Sequence, residues 1–261
     1  MVVFFDIDGT IIDDDTQIIP DSAPEAVKRL GENGHLAVVN TGRPYSHIDP
    51  RVRDMAFGGW ICGCGMEILL DGKWIVRRMP EPEVCRQVRD AVRECRMQVL
   101  YEAREGAIYT DGAFSLHPRA TEEAQRMAEK GFTVAELDTL PEPRFMKLVT
   151  FDGPDSCRDA FIRRVSPWYD ITDRGNTMLE LVLKGCSKAG GMLELLDHLG
   201  LSREQTLAIG DSTNDLPMFR VAAHGICLGG GMEQLKQAAD YVTAPVLEDG
   251  LYKGLAHYGL L

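Results

Sequence analysis

The sequence predicts an α/β protein with a mainly parallel sheet, interrupted by an inserted α+β segment. Three observations carry this prediction. Apolar runs that end in acidic or small polar residues occur at 2–5, 36–39 and 206–209, and β-branched or aromatic runs without polar alternation suit strands buried on both faces. Segments of helical period lie between them, as a crossover between parallel strands requires. Between about residues 79 and 182 the rhythm changes to mixed short strands and helices, then resumes, the signature of an α+β insert.

The first strand delivers Asp6-Ile7-Asp8-Gly9-Thr10 at its carboxyl end, the edge of an open α/β sheet where ligands bind. Acids one residue apart face opposite ways along a strand, but a strand ending at Asp6 and a turn at Gly9 let both carboxylates converge. Ser22-Ala23-Pro24-Glu25 has the form of a capping box, and Ala23, Ala26, Val27 and Leu30 repeat at helical spacing up to Gly34, which predicts a helix of roughly three turns. The second strand runs into Asn40-Thr41-Gly42-Arg43-Pro44, where glycine and proline break the pattern. A right-handed crossover sets its end beside that of the first strand. A hairpin is predicted across 68–76 around Asp71-Gly72, a strong turn signal.

Arg78-Met79-Pro80-Glu81-Pro82 marks a boundary. Beyond it, 83–96 is helical, with Val84, Val88, Ala91, Val92 and Cys95 on one stripe. Short strands are expected near Val99 and Ile108, then a helix at 121–130, a strand at 145–151, a helix at 157–165 and a strand at 178–183. From Lys184 the α/β pattern returns with a helix at 188–199 and a strand at 206–209. That strand ends in Gly210-Asp211-Ser212-Thr213-Asn214-Asp215, followed by a helix through Phe219 and strands at 226–228 and 241–243. Gly229-Gly230-Gly231 lacks the lysine of a P-loop and is read as a turn.

At 261 residues there is room for one large α/β domain or for one domain that carries another, and a 44% hydrophobic fraction excludes a disordered chain. A net charge of −12 argues against a nucleic-acid or anionic-membrane surface, which needs clustered Lys and Arg. No apolar run approaches the ~20 residues of a membrane span. A strand starting at Val2 would leave no space for a secretory leader, so none is expected. Seven scattered cysteines without zinc spacing fit reduced thiols, so a cytoplasmic location is expected. Cys62-Gly63-Cys64 is read as small residues in a tight turn.

The chemistry lies at the strand ends. Asp211 brings a further acid to the edge that carries Asp6 and Asp8, and Mg2+ takes oxygen ligands while also touching substrate phosphate. Asp6 and Asp211, with a backbone carbonyl near Asp8, would form a partial cage. Without a cation such packed carboxylates repel one another.

In order along the chain, Asp6-x-Asp8-Gly9-Thr10, Thr41-Gly42-Arg43, Lys184-Gly185-x-x-Lys188 and Gly210-Asp211-x-x-Asn214-Asp215 resemble the four motifs of the haloacid dehalogenase (HAD) superfamily. The chain looks like its Cof-type, subfamily IIB phosphatases over nearly its whole length, and Glu248-Asp249-Gly250 is similar to a pattern often seen near the end of that family. The resemblance implies a Rossmann-like three-layer core from residues 1–78 and 183–261, with a type-C2 cap at 79–182 that sets substrate specificity. It implies Asp6 as the nucleophile of an aspartyl-phosphate pathway and Asp8 as the acid and then the base. Thr41, Gly42, Arg43, Lys188 and Asn214 would bind phosphate or substrate. Mg2+ would be held by Asp6, Asp8, Asp211 and Asp215, the last of which supports the metal or Lys188. One departure stands out: the family commonly has Asn-Gly-Ala where this chain has Cys64-Gly65-Met66.

The expected function is magnesium-dependent hydrolysis of small phosphorylated metabolites such as sugar phosphates, with no nucleic-acid or membrane partner. A receiver-like signalling module also gathers acids, Thr and Lys around a phosphorylated Asp, but Asp8 and the insert favour an enzyme. A non-catalytic binder of phosphorylated ligands is disfavoured by the intact Asp6, Asp8, Lys188 and Asp211. A sugar phosphomutase of the same fold stays open. Tyr109, Arg144, Lys147 and Glu180, on or beside predicted cap strands, are candidates for contact with the leaving group, the alternative being exposed strand-face positions.

Overall fold

The computed structural model describes residues 1–111 and 118–261. It divides into one unit of Met1–Arg43, Ile48–Arg77 and Ser187–Leu261, and another of Pro44–His47 and Arg78–Cys186. The first unit begins with β1 (Val2–Phe5), α1 (Ser22–Glu32), β2 (Leu36–Asn40), α2 (Pro50–Arg53), β3 (Gly59–Cys62), β4 (Glu67–Leu70) and β5 (Lys73–Arg77). The second contains α3 (Pro82–Glu94), β6 (Gln98–Glu102), β7 (Ala107–Thr110), α4 (Pro118–Glu129), β8 (Thr133–Glu136), β9 (Lys147–Phe151), α5 (Arg158–Val165), β10 (Tyr169–Asp173) and β11 (Met178–Leu183). The chain then returns to the first unit with α6 (Lys188–Leu199), β12 (Thr206–Gly210), α7 (Leu216–Val221), β13 (His224–Cys227), α8 (Glu233–Lys236), β14 (Tyr241–Val242) and α9 (Gly250–His257). Among the described residues no helix is long and apolar enough to cross a membrane.

The sheet of the first unit runs β14-β13-β12-β1-β2-β3-β4-β5, parallel from β14 to β3 and antiparallel through the last two strands. Every residue of β1 is buried, as its unbroken apolar run predicts. Val2, Phe4, Val38 and Ile61 pack with Met192, Leu195 and Leu196 of α6 and with Met218 and Phe219 of α7. Register aligns Phe5 with both Val39 and Ile209. The loops after β1, β2 and β12 therefore leave the same edge side by side, where the strand order reverses and α/β sheets bind ligands.

Two local expectations fare differently. The Asp71-Gly72 hairpin forms with φ of +47° and +73°, the backbone that a two-residue primed turn requires. The capping box at Ser22 does not form. Asp21 occupies the cap position without a side-chain bond, because the Ser22 hydroxyl donates to Asp249 Oδ1 at 2.6 Å instead. Arg29 reaches the Tyr252 hydroxyl at 2.6 Å, so α1 is tied to α9 by tertiary partners rather than closed by its own.

The second unit is a sheet ordered β10-β11-β9-β6-β7-β8. Val88 and Val92 of α3 and Phe161 of α5 pack with Tyr101, Phe145, Leu148 and Leu181. Ala120, Ala124 and Met127 of α4 pack with Leu100, Ile108 and Phe151. The sequence reading missed β8 and β10, and both are edge strands. Edge strands carry polar residues that discourage further pairing, so Thr133–Glu136 and Tyr169–Asp173 lack the apolar signal that marks interior strands.

Lys147 and Tyr109 are buried rather than exposed on the strand face, while Arg144 is exposed. Lys147 Nζ lies 2.7 Å from Glu180 and 3.6 Å from Glu102, and Arg174 Nε donates to Glu180 at 2.8 Å. Lys147, and then Arg174, pull the Glu180 carboxyl from 4.5 down to about 2 against the opposing effect of burial. A lowered folded-state pKa stabilises above the unfolded value, so this contribution of roughly 3 kcal/mol should be complete above pH 4.5 and vanish as pH falls towards 2. In urea denaturation, Glu180→Gln should be less stable than wild type at pH 6, with the gap closing on acidification. A gap that is constant with pH would refute the linkage.

Candidate active site

Asp6 follows β1 directly, and its N–H donates to Ile209 O at 3.0 Å. Lys188, the first residue of α6, places Nζ 2.8 Å from Asp6 Oδ1 and 2.7 Å from Asp215 Oδ1. All three residues are buried. The helix start is set locally by Ser187, whose hydroxyl accepts from Gly190 N at 2.9 Å, and tertiarily by Asn40, whose Nδ2 donates to Lys188 O at 3.0 Å. Sequence reasoning passed over Asn40. Its signal was a polar amide at the end of an apolar strand, a position that burial makes costly unless the amide is bonded.

Asp215 acts as a brace. One carboxylate oxygen takes the lysine, and the other accepts from the N–H groups of Asp211 at 3.1 Å and Ser212 at 3.2 Å, closing a capping box with Ser212. Glycine makes this approach possible. A Cβ on Gly210 would sit 2.4 Å from Asp215 Oδ2, and one on Gly9, where φ is +68°, would sit 2.4 Å from Asp211 Oδ2. Each glycine is therefore required sterically, Gly210 by Asp215 of its own motif and Gly9 by Asp211 of the other.

One ammonium here faces two buried carboxylates. Burial, and then repulsion from Asp215, push the Asp6 carboxyl well above its usual range despite Lys188. Burial and the neighbouring Asp215 and Asp14 push Asp211 up to about 7. Burial alone would lower the Lys188 ammonium, but Asp215 and Asp6 outweigh it and hold it charged above its usual value. Asp6, Asp211 and Asp215 each offer a carboxylate oxygen, all within 4.8 Å of one another. Hard oxygen donors with surplus negative charge suit a divalent cation such as Mg2+, which would relieve the repulsion that raises these pKa values.

Asp8 does not join that group. Its carboxylate accepts a fork from Arg43, with Nε 2.8 Å from Oδ2 and Nη2 bonded to Oδ1. Arg43 N in turn donates to Thr41 Oγ1 at 3.2 Å, Gly42 lies between them in the loop, and Thr41 is buried. Asn214 Oδ1 accepts from the Ser212 hydroxyl at 2.7 Å. The turn carrying Cys64 is tied to the same loop, with Cys64 N donating to Thr41 O at 3.1 Å and Gly63 N to Arg43 O at 2.8 Å. Cys64 has φ of +56° and is half-buried. A Cβ on Gly65 would sit 2.8 Å from Ser187 O, so that glycine lets the turn press against the start of α6. The edge thus gathers a buried acid, a fixed ammonium, two further carboxylates and a half-buried acid held by arginine, a set suited to attack on phosphorus with charge compensation.

The family model of haloacid dehalogenase-like hydrolases matches residues 3–255. The putative phosphatase YkrA of Bacillus subtilis is 28% identical, with 100% of this chain and 98% of that protein covered. The 5-amino-6-(5-phospho-D-ribitylamino)uracil phosphatase YitU of the same organism is 27% identical, with 98% and 97% covered. The structure of the HAD subclass IIB sugar phosphatase BT4131 superposes with a TM-score of 0.80 at 24% identity, covering 100% of this chain and 99% of that one. With four motifs brought to one sheet edge and a family match over nearly the whole sequence, the chain belongs to the haloacid dehalogenase-like hydrolase family and is a Cof-type phosphatase within it.

Proposed function

We propose that the protein hydrolyses phosphate monoesters of small metabolites, with sugar phosphates as the leading class, using Mg2+ and a phosphorylated Asp6. The observation that supports this most is the buried contact of Lys188 with Asp6 and Asp215 beside Asp211. Asp6 attacks phosphorus as the bond to the ester oxygen breaks, and Asp8 gives the departing alkoxide its proton. Water then attacks the aspartyl-phosphate, Asp8 takes its proton, and inorganic phosphate leaves with Asp6 restored as a carboxylate. Lys188 balances charge on the phosphoryl group as a fixed ammonium, while Thr41, the Gly42 backbone and Asn214 orient it. Asp6, Asp211 and Asp215, with the Asp8 main chain, would hold Mg2+, which when bound supplies positive charge to the phosphoryl oxygens. The relatives named for a phosphoribityl compound and for sugar phosphate favour polyol or sugar esters. The second unit, close to residues 79–182, is where we place the choice of leaving group, and the cytoplasm is where we place the enzyme.

The test is a panel of phosphorylated metabolites scored by release of inorganic phosphate. Turnover of several sugar or polyol phosphates is expected, falling at least about 100-fold in excess EDTA and returning with Mg2+. No release across the panel, or full activity in EDTA, would overturn the proposal or its metal component respectively.

A further inference from the structure

The Arg43 guanidinium at this sheet edge is engaged by a carboxylate of the motif that follows β1. Both oxygens of Asp8 are bonded to it, and Asp14 and Asp49 also lie within its electrostatic reach. Its charge is thus already opposed by three carboxylates. Its main chain is fixed at both ends, through Arg43 N to Thr41 Oγ1 and Gly63 N to Arg43 O. Lys188, by contrast, sits buried against Asp6.

From this geometry we infer that Arg43 serves the reaction through Asp8, as a positioning residue that holds the acid-base carboxylate in plane, rather than as a ligand of the transferring phosphate. The inference rests on the acid-base role proposed for Asp8. The Asp8 side chain is 38% exposed, and a carboxylate so open to water would sample several rotamers on its own. General acid-base catalysis requires it within hydrogen-bond reach of the leaving oxygen. Two parallel charge-assisted bonds to a planar guanidinium fix the plane of a carboxylate as a point charge cannot. When Asp8 carries its proton to the alkoxide, one bond of the fork yields while the other keeps the carboxylate in place.

Leaving-group dependence separates the two roles. 4-Nitrophenyl phosphate releases a phenolate that needs no proton, whereas glycerol 3-phosphate releases an alkoxide that does. For Arg43→Gln, pre-steady-state kinetics should show a burst of about one nitrophenolate per enzyme at a rate within about 5-fold of wild type, then slow turnover as hydrolysis of the aspartyl-phosphate stalls. With glycerol 3-phosphate, kcat should fall about 100-fold while KM stays within about 3-fold. Arg43→Lys should resemble Arg43→Gln, because an ammonium cannot fork. Asp8→Asn, run in parallel, should show the same burst and stall. If Asp8→Asn does so but Arg43→Gln instead loses its burst and raises KM for both esters about 10-fold or more, Arg43 is a phosphate clamp and the inference falls alone. If Asp8→Asn turns over glycerol 3-phosphate like wild type, the acid-base reading falls and takes the inference with it.

Discussion

Asp6→Asn should abolish turnover, by at least about four orders of magnitude in kcat, while leaving the protein folded. The amide cannot attack phosphorus, yet it preserves the shape of a residue that is 3% exposed. The effect on stability follows from the charges. Asp6 and Asp215 share one ammonium, and burial together with Asp215 makes the charged form of Asp6 unfavourable. Without metal, the variant should therefore melt no lower than a few degrees below wild type, since it trades attraction to Lys188 for relief from desolvation and repulsion. Circular dichroism melts and phosphate release on the same preparation check both halves. Robust hydrolysis by a folded Asp6→Asn protein would remove Asp6 from the nucleophile's role.

Lys188→Met should be damaging in both respects. Methionine matches the length of the lysine stem but leaves two buried carboxylates without their cation, and breaking a buried pair on one side typically costs about 3–5 kcal/mol. Activity should fall by about 10³-fold or more, as expected when a fixed charge opposite developing negative charge is lost. Urea denaturation in EDTA isolates the structural effect from any bound metal. An unchanged unfolding midpoint would show that Asp215 and Asp6 tolerate each other without the ammonium, and activity within tenfold of wild type would deny Lys188 a place on the phosphoryl group.

Much of this arrangement was legible in the chain because strand-end chemistry is local. The run into Asp6 and Asp8 needs two-sided burial, and β1 is buried throughout. The helix expected at 188–199 forms over Lys188–Leu199, where the structure caps its start with Ser187 and closes its end with Gly200 in the left-handed conformation at φ of +64°. The Asp71-Gly72 turn was legible for the same reason, since two positive-φ residues leave few alternatives. Ser22 shows the limit of local reading. Its spacing from Glu25 satisfies a capping box, but Asp249, more than two hundred residues on, competes for the hydroxyl and wins. The edge strands β8 and β10 were missed because their polar residues answer to solvent rather than to a core. Arg43 was expected on phosphate or substrate, and its bond to Asp8 could not have been read from Thr41-Gly42-Arg43, because nothing in that tripeptide records what lies across the neighbouring loop.

By itself, then, the sequence determined which residue types stand at the ends of which buried strands: two acids after β1, a threonine, glycine and arginine after β2, a lysine at the head of α6, and the paired acids after β12. Periodicity and turn chemistry act over a few residues, so these assignments needed no partner. Tertiary structure alone decided how the groups pair. It set one ammonium between Asp6 and Asp215, let Asp211 approach Gly9, braced Lys188 with Asn40, and gave Asp8 to Arg43. Those choices depend on distances between loops that parallel register brings together from remote parts of the chain, and on burial that makes each unpaired charge too costly to leave alone.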